Sequence, residues 1–145
     1  MKVLRPLLPD NSAGNILKEW DLKYTTDSKG AVLFDSVYRA LVRIVFGDNC
    51  MGRETIDYLM EETAILADYS GNFDAVLFNE NSAWFRGEER GEILNRAIEE
   101  GLKVKVGRHG NRNRVIMKHL LFGGIFPRFF GFDYGPVEIA GGREL

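Results

Sequence analysis

The sequence predicts a mainly α fold: an irregular bundle of about five helices, followed by a C-terminal extension rich in glycine and aromatic residues. Two observations support this prediction. In four segments before residue 103, apolar residues recur three or four positions apart, which is the spacing of one helix face. After residue 121, glycine and proline recur too densely for a long helix, and residues 134–140 are predicted to form a short strand.

The longest predicted helix, residues 28–46, lies at the centre of the predicted fold. Asp27 or Ser28 can cap its first turn, and Gly47 is predicted to end it in a left-handed conformation. Its polar stripe is narrow, so other elements must cover most of its surface. The apolar lines are Phe34, Val37, Tyr38, Leu41 and Val45, and Leu33, Val37, Ala40 and Ile44; the polar line is Asp35, Arg39 and Arg43.

Four further helices are predicted around this central one. The first is capped by Asn11 or Ser12 and ends at Trp20, which should meet Phe34 where the first two helices join. The third spans residues 53–66, and the polar triplet 70–72 is predicted to end it. A short helix at residues 73–78, for which a strand is the alternative, leads to a loop at 79–87. The fifth helix spans residues 88–102.

The C-terminal extension is predicted to be irregular before its strand. A short helix or turn is expected near residues 117–122, followed by extended chain. Its aromatic residues are too dense for the surface of a small domain. They must either complete the core or pack against another part of a larger protein. These residues are Phe122, Phe126, Phe129, Phe130, Phe132 and Tyr134.

Length and composition exclude several classes of protein. The 145 residues suit one domain, and the net charge of −2 argues against a nucleic-acid-binding domain. No apolar run approaches the roughly 20 residues of a membrane span, and the first twelve residues lack the apolar core of a signal peptide. Cys50, the single cysteine, cannot form an intrachain disulfide and is predicted to be buried as a small apolar residue.

The residues that could carry chemistry do not form a recognisable catalytic pattern. His109 is predicted to be solvated, and His119 to be a hydrogen-bonded structural residue, because their spacing matches no metal-binding motif. No serine-nucleophile or nucleotide-binding motif occurs. An acidic helix face, comprising Glu54, Asp57, Glu61 and Glu62, is interpreted as solvated. The sequence therefore predicts no catalytic, cofactor-binding or metal-binding residue, and no cofactor.

One basic cluster extends from Lys103 to Lys118. We interpret it as a polar loop that offsets the acidic helices, and an anion-binding module is the alternative. It contains no aromatic platform on which bases could stack. Its members are Lys103, Lys105, Arg108, Arg112, Arg114 and Lys118.

Three segments together resemble the penicillin acylase (penicillin amidase) family. They are LKEWDLKYTTDSKGAVLFDSVYRALVRIVFGD, NSAWF and HLLFGGIFPRFFGFDYGPVEIAGGRE, in the order expected of the family. The resemblance implies an amide hydrolase whose nucleophile is an N-terminal serine, activated by its own α-amino group. The nucleophile motif and the oxyanion asparagine motif are absent from this chain. None of the calcium ligands of some relatives maps onto it either.

The resemblance leads to the following hypotheses. The chain is expected to be a helical segment of the large subunit of an acylase-like hydrolase, inactive alone, whose parent cleaves amides of β-lactam or acyl-homoserine-lactone type. Its expected partners are the remainder of that hydrolase and a second copy, through the segment from Phe122 to Ile139. The alternative is a stand-alone helical interaction domain that uses its aromatic C-terminal third. Neither nucleic acid nor a membrane is expected as a partner.

Overall fold

The computed structural model describes residues 1–61 and 63–142. Within this part of the chain, five α-helices and a two-stranded antiparallel sheet confirm the mainly α fold. No helix in these ranges is long and apolar enough to cross a membrane. The elements are α1 (Ser12–Glu19), α2 (Lys29–Val42), α3 (Arg53–Glu61), α4 (Thr63–Phe78), α5 (Arg90–Gly101), β1 (Arg114–Lys118) and β2 (Asp133–Glu138).

Helix α2 occupies the centre of the helical body, as predicted. The Ser28 hydroxyl caps its first turn by accepting a hydrogen bond from the Ala31 N–H at 3.1 Å. Its two apolar lines are buried, apart from Phe34 and Tyr38, which are half-buried. Trp20 is buried as predicted, and its ring centroid lies 5.3 Å from that of Phe34.

Helix α5 packs closely along α2, and a glycine permits this approach. A Cβ atom added at Gly101 would lie 2.4 Å from the Cα atom of Val37, which is closer than real Cβ contacts. Two helix backbones can approach this closely only where a side chain is missing. The inward face of α5 fills the space on either side with Ile93, Leu94, Ala97 and Ile98.

The prediction that Gly47 ends the central helix is wrong. The helix continues beyond α2 as a π-helix, Arg43–Met51, and Gly47 is buried inside it. A positive φ occurs instead at Gly52, with φ of 85° and ψ of 143°, and its N–H donates to the Gly47 carbonyl at 2.9 Å. Gly52 directly follows the last residue of the π-helix, and glycine adopts this positive φ without steric cost.

Cys50 is exposed, so its predicted burial is also wrong. It lies in the last turn of the π-helix, just before the chain turns at Gly52. Its neighbour Met51 is 44% exposed as well, which shows that this turn faces solvent. A helical segment that ends at the surface exposes even a residue type that is usually buried.

The predicted break at residues 70–72 does not occur. Helix α4 continues through it to Phe78, so the predicted short helix at 73–78 is the last part of α4, and the described residues of the predicted third helix belong to α3 and to the first part of α4. Phe73 and Leu77 are buried on α4, and the Phe73 ring lies 4.4 Å from that of Phe46. This burial outweighs the low helix propensity of Gly71, at which an added Cβ would meet nothing.

The C-terminal extension folds as a hairpin. Strand β2 confirms the predicted strand. Of the short helix or turn predicted near residues 117–122, residues 120–122 do lie in a turn, but Met117 and Lys118 belong to β1, which was not predicted. The strands are antiparallel, with Arg114 opposite Glu138 and Lys118 opposite Asp133, and an irregularity in register between Val115 and Met117. The β-branched Val115 and the following Ile116 favour this extended conformation.

Candidate functional site

The base of the hairpin is fixed to the turn that precedes α2. The His109 N–H donates to the Ser28 carbonyl at 3.1 Å, and the Gly110 N–H donates to the Thr26 carbonyl at 2.7 Å. From the other end of the hairpin, the Gly141 N–H donates to the Tyr24 carbonyl at 2.8 Å. These three bonds connect both ends of the extension to one short segment of the helical body.

His109 is buried inside this base, so the prediction that it is solvated is wrong. The residue is only 6% exposed, and its Nε2 atom lies 2.8 Å from the Gly141 carbonyl oxygen. Its ring packs edge-on against Tyr24, with centroids 5.4 Å apart. The Asn113 amide donates to the Ile139 and Gly141 carbonyls at 3.1 Å and 3.3 Å. His109 is therefore a structural residue.

Part of the basic cluster forms ion pairs at the same base. Arg108 lies 2.6 Å from the Asp27 carboxylate and 3.0 Å from that of Glu138. Arg114 contacts Glu138 as well, at 3.3 Å. These pairs agree with the interpretation of a loop that offsets nearby acidic groups, and they engage two of the cations that an anion-binding module would need.

The part of the hairpin beyond this base, residues 115–134, is called the tip here. Its aromatic side chains contact one another: the Phe122 ring lies 5.0 Å from Phe132 and 5.8 Å from Phe126. The His119 ring stacks on Phe122 at 5.3 Å, and its Nδ1 atom accepts from the Leu121 and Phe122 N–H groups, both at 3.3 Å. His119 is thus hydrogen-bonded, as predicted, although it is exposed.

The tip and its flanking Ile139 remain exposed, so the aromatic residues do not complete the helical core. Leu120 is 95% exposed, Phe129 81% and Ile125 69%. The exposed apolar residues of the hairpin are Val115, Ile116, Met117, Leu120, Leu121, Phe122, Ile125, Phe126, Phe129, Phe130, Tyr134 and Ile139. This surface is the candidate functional site.

Among the described residues, no other group of side chains forms a recognisable catalytic or metal-binding site. They contain no group of three or more histidine, cysteine, aspartate or glutamate residues that could hold a metal ion. On the predicted acidic face, Asp57 pairs with Arg43 at 2.5 Å, while Glu62 lies outside the described residues. An open cleft of about 630 Å³ is lined by residues from Glu80 to Gly91, where Glu80 and Arg90 form an ion pair at 2.5 Å.

Comparison with known proteins identifies the family. The model of the penicillin amidase family matches residues 1–145. The chain belongs to the penicillin amidase family. This membership confirms the resemblance found in the sequence, and implies a hydrolase as the parent protein. No curated protein and no solved structure matches the chain.

Strand β1 is the part of this surface that sequence reasoning missed. The signal was present in two short runs, RVIMK and DYGPVE. Each has apolar residues between charged ends, and the charges are opposite in sign. Reading the two runs together would have predicted an antiparallel pair with Arg114 and Lys118 opposite Glu138 and Asp133, as the structure has it.

Proposed function

We propose that residues 1–145 form a helical structural segment of a penicillin-acylase-like amidase, whose catalytic serine lies in another part of the protein. The parent would hydrolyse the amide bond of an acylated small molecule, of β-lactam or acyl-homoserine-lactone type. The match of the family model over the whole chain supports this proposal. The single observation that carries the structural role is the exposed apolar tip on a fixed base.

The size of the exposed surface supports a docking role. The twelve apolar residues of the hairpin are between 38% and 95% exposed. With residue surfaces of roughly 200 Å² each, they expose on the order of 1,000 Å². The largest apolar patch on a typical monomer is only about 300–600 Å². In the proposed role, the helical body holds the tip in position and the rest of the hydrolase covers it.

The same surface supports a second candidate, a stand-alone helical domain that binds another protein through its tip. The two candidates differ in where the partner is encoded. A serine nucleophile motif followed by asparagines, upstream in the same reading frame, would favour the amidase segment. A separate gene for the binding partner would favour the interaction domain.

The first test of the amidase segment is catalytic. Purified residues 1–145, incubated with chromogenic phenylacetyl and long-chain acyl amides, should release no more product than a heat-denatured control. The reason is that the proposed nucleophile and oxyanion groups lie elsewhere. Turnover that persists through repurification would contradict the assignment of a structural segment.

The second test concerns the docking surface. Without the rest of the hydrolase, the chain should self-associate, as measured by light scattering. The reason is that each Å² of apolar surface removed from water contributes about 25 cal/mol of favourable free energy. The double variant Leu120→Ser and Phe129→Ser should be monomeric with unchanged helix content. The matched control is the double variant Leu22→Ser and Phe78→Ser. These two residues lie outside the tip and are 50% and 61% exposed, so this variant should still associate. A monomeric unmodified chain at high concentration would contradict the docking role.

A further inference from the structure

Strand β1 has one edge that β2 does not use. The Ile139 N–H donates to the Asn113 carbonyl at 3.0 Å, and the His119 N–H donates to the Phe132 carbonyl at 3.1 Å. Neighbouring residues of a strand direct their N–H and C=O groups to opposite sides, so odd-numbered residues here face β2. Arg114, Ile116 and Lys118 therefore direct their backbone groups away from β2.

This outer edge of β1 can accept a further strand. All five residues of β1 are exposed, so neither face of the strand is covered within the described structure. The run contains no proline and no glycine, and every residue retains its N–H group. Strand β2 differs, because Pro136, in the middle of the strand, has no N–H group to donate. An added strand therefore finds a complete set of partners only on β1.

The charges on β1 specify what the added strand should contain. Arg114 and Lys118 lie four residues apart on one face of the strand, with Ile116 between them. On the inner edge, β2 matches them with Glu138 opposite Arg114 and Asp133 opposite Lys118. The Arg114 guanidinium already donates from Nε to the Gly110 carbonyl and from Nη2 to Asn111 and Glu138, which leaves the two N–H donors of Nη1 for a second carboxylate.

A second copy of β1 does not fit this edge in full register. If two copies paired antiparallel about Ile116, Arg114 of each would lie directly opposite Lys118 of the other. Like charges directly opposite one another destabilise a strand pair. Self-association through the apolar faces of the tip does not require this pairing.

We propose that the outer edge of β1 binds an extended segment that has two carboxylate residues four positions apart and apolar or β-branched residues between them. The bound segment adds a third, antiparallel strand. Its carboxylates lie beside Arg114 and Lys118, and its central residue lies beside Ile116. The proposal does not depend on the amidase assignment, because it concerns backbone and charge complementarity alone.

The test uses two synthetic peptides and the unmodified chain. The probe is acetyl-Thr-Glu-Val-Thr-Val-Glu-Thr-amide, and its control has lysine in place of both glutamates. In an NMR titration, the glutamate peptide should shift the backbone amide signals of residues 114–118. It should bind at least about tenfold more tightly than the lysine peptide, since each opposed charge pair changes from attraction to repulsion. Equal binding of the two peptides, or binding of neither, would overturn the proposal.

Two variants separate the backbone from the side chain. Ile116→Pro removes the outward N–H group and should abolish binding, whereas the matched control Ile116→Thr keeps both the N–H group and β-branching and should bind. Lys118→Glu should weaken binding of the glutamate peptide and strengthen that of the lysine peptide. If the glutamate peptide bound the Ile116→Pro variant as tightly as the unmodified chain, the outer edge of β1 would not be the binding site. Concentration-dependent protection of the Ile116 amide in the chain alone would show that a second copy occupies it.

Discussion

Helix α2 and the tip of the hairpin both consist largely of apolar residues, yet only α2 is covered. Residues Val32, Leu33 and Val37 of α2 are at most 1% exposed, whereas Leu120 and Phe129 of the tip are 95% and 81% exposed. The two regions therefore show that apolar content alone does not determine burial. Burial requires a complementary face, which α5 supplies to α2 and no described element supplies to the tip.

The hairpin is nevertheless a folded part of the molecule. Its base has the buried His109, three backbone hydrogen bonds to the turn before α2, and ion pairs through Arg108. Inside the tip, aromatic rings contact one another at 4.5–6.5 Å. The tip is thus an ordered apolar surface, which differs from a loop that happens to contain aromatic residues.

The sharpest comparison uses two phenylalanines. Phe46 is 2% exposed and packs on Phe73 and Trp84, whereas Phe129 is 81% exposed. Phe46→Ala should lower the free energy of unfolding by about 3–5 kcal/mol, because packing contacts are lost and a cavity remains. Phe129→Ala should change it by no more than about 0.5 kcal/mol. Urea unfolding followed by circular dichroism measures both.

Self-association of the chain would affect the unfolding free energy measured for Phe129→Ala. If the chain self-associates through the tip, the measurements should be made at the lowest practical concentration, because dimerisation also adds to apparent stability. A loss above about 2 kcal/mol for Phe129→Ala would mean that another part of the chain covers the tip in solution. The distinction between the two regions would then fail.

The next comparison uses two glycines of α5. An added Cβ at Gly101 would lie 2.4 Å from the Val37 backbone, whereas at Gly91 it would meet nothing within 4 Å. Gly101→Ala should therefore force α2 and α5 apart and cost about 1–3 kcal/mol. Gly91→Ala should stabilise the protein by about 0.4–1 kcal/mol, because alanine restricts the unfolded chain. If Gly101→Ala had the same urea midpoint as the unmodified chain, the close packing of the two helices would be contradicted.

The helical body was predictable where one local pattern determined the outcome. The apolar lines of α2 and α5 recur at helical spacing, and Asn11 and Ser28 cap their helices as the sequence indicated. The end of the central helix was not predictable from Gly47. That position is buried against α3, where an added Cβ would lie 3.5 Å from the Arg53 backbone, and tertiary packing carries the helix onward.

The candidate site was predictable only in part. The density of aromatic residues after Phe122 indicated an apolar surface, and the structure shows it exposed. The burial of His109 could not be read locally, because it depends on Tyr24 and Gly141, which are distant in the sequence. Strand β1 is short and only its three central residues are apolar, so its local pattern did not distinguish a strand from the predicted short helix or turn.

The smallest expected effect concerns an ion pair at the surface of the helical body, where the π-helix meets α3. The hydrogen bond from Arg53 holds the pKa of Asp48 below its usual range, and their second contact is 2.8 Å long. A carboxyl whose pKa is lowered in the folded state stabilises the fold above its unfolded pKa, near 4. That stabilisation is lost as the pH falls through the folded pKa. The effect should be small, because the two side chains are 63% and 35% exposed and solvent screens them.

The variant Asp48→Asn isolates this contribution. At pH 6, it should have a slightly lower urea midpoint than the unmodified chain, and the difference should shrink as the pH falls below about 4 and through the lowered folded pKa of Asp48, below which the group is protonated in both states. Arg53→Gln removes the same pair from the other side and should show the same convergence. Added salt should reduce the difference at pH 6, because it screens exposed charges. A difference at pH 6 as large as that of Phe46→Ala would mean that surface charge stabilises the helical body as strongly as core packing does.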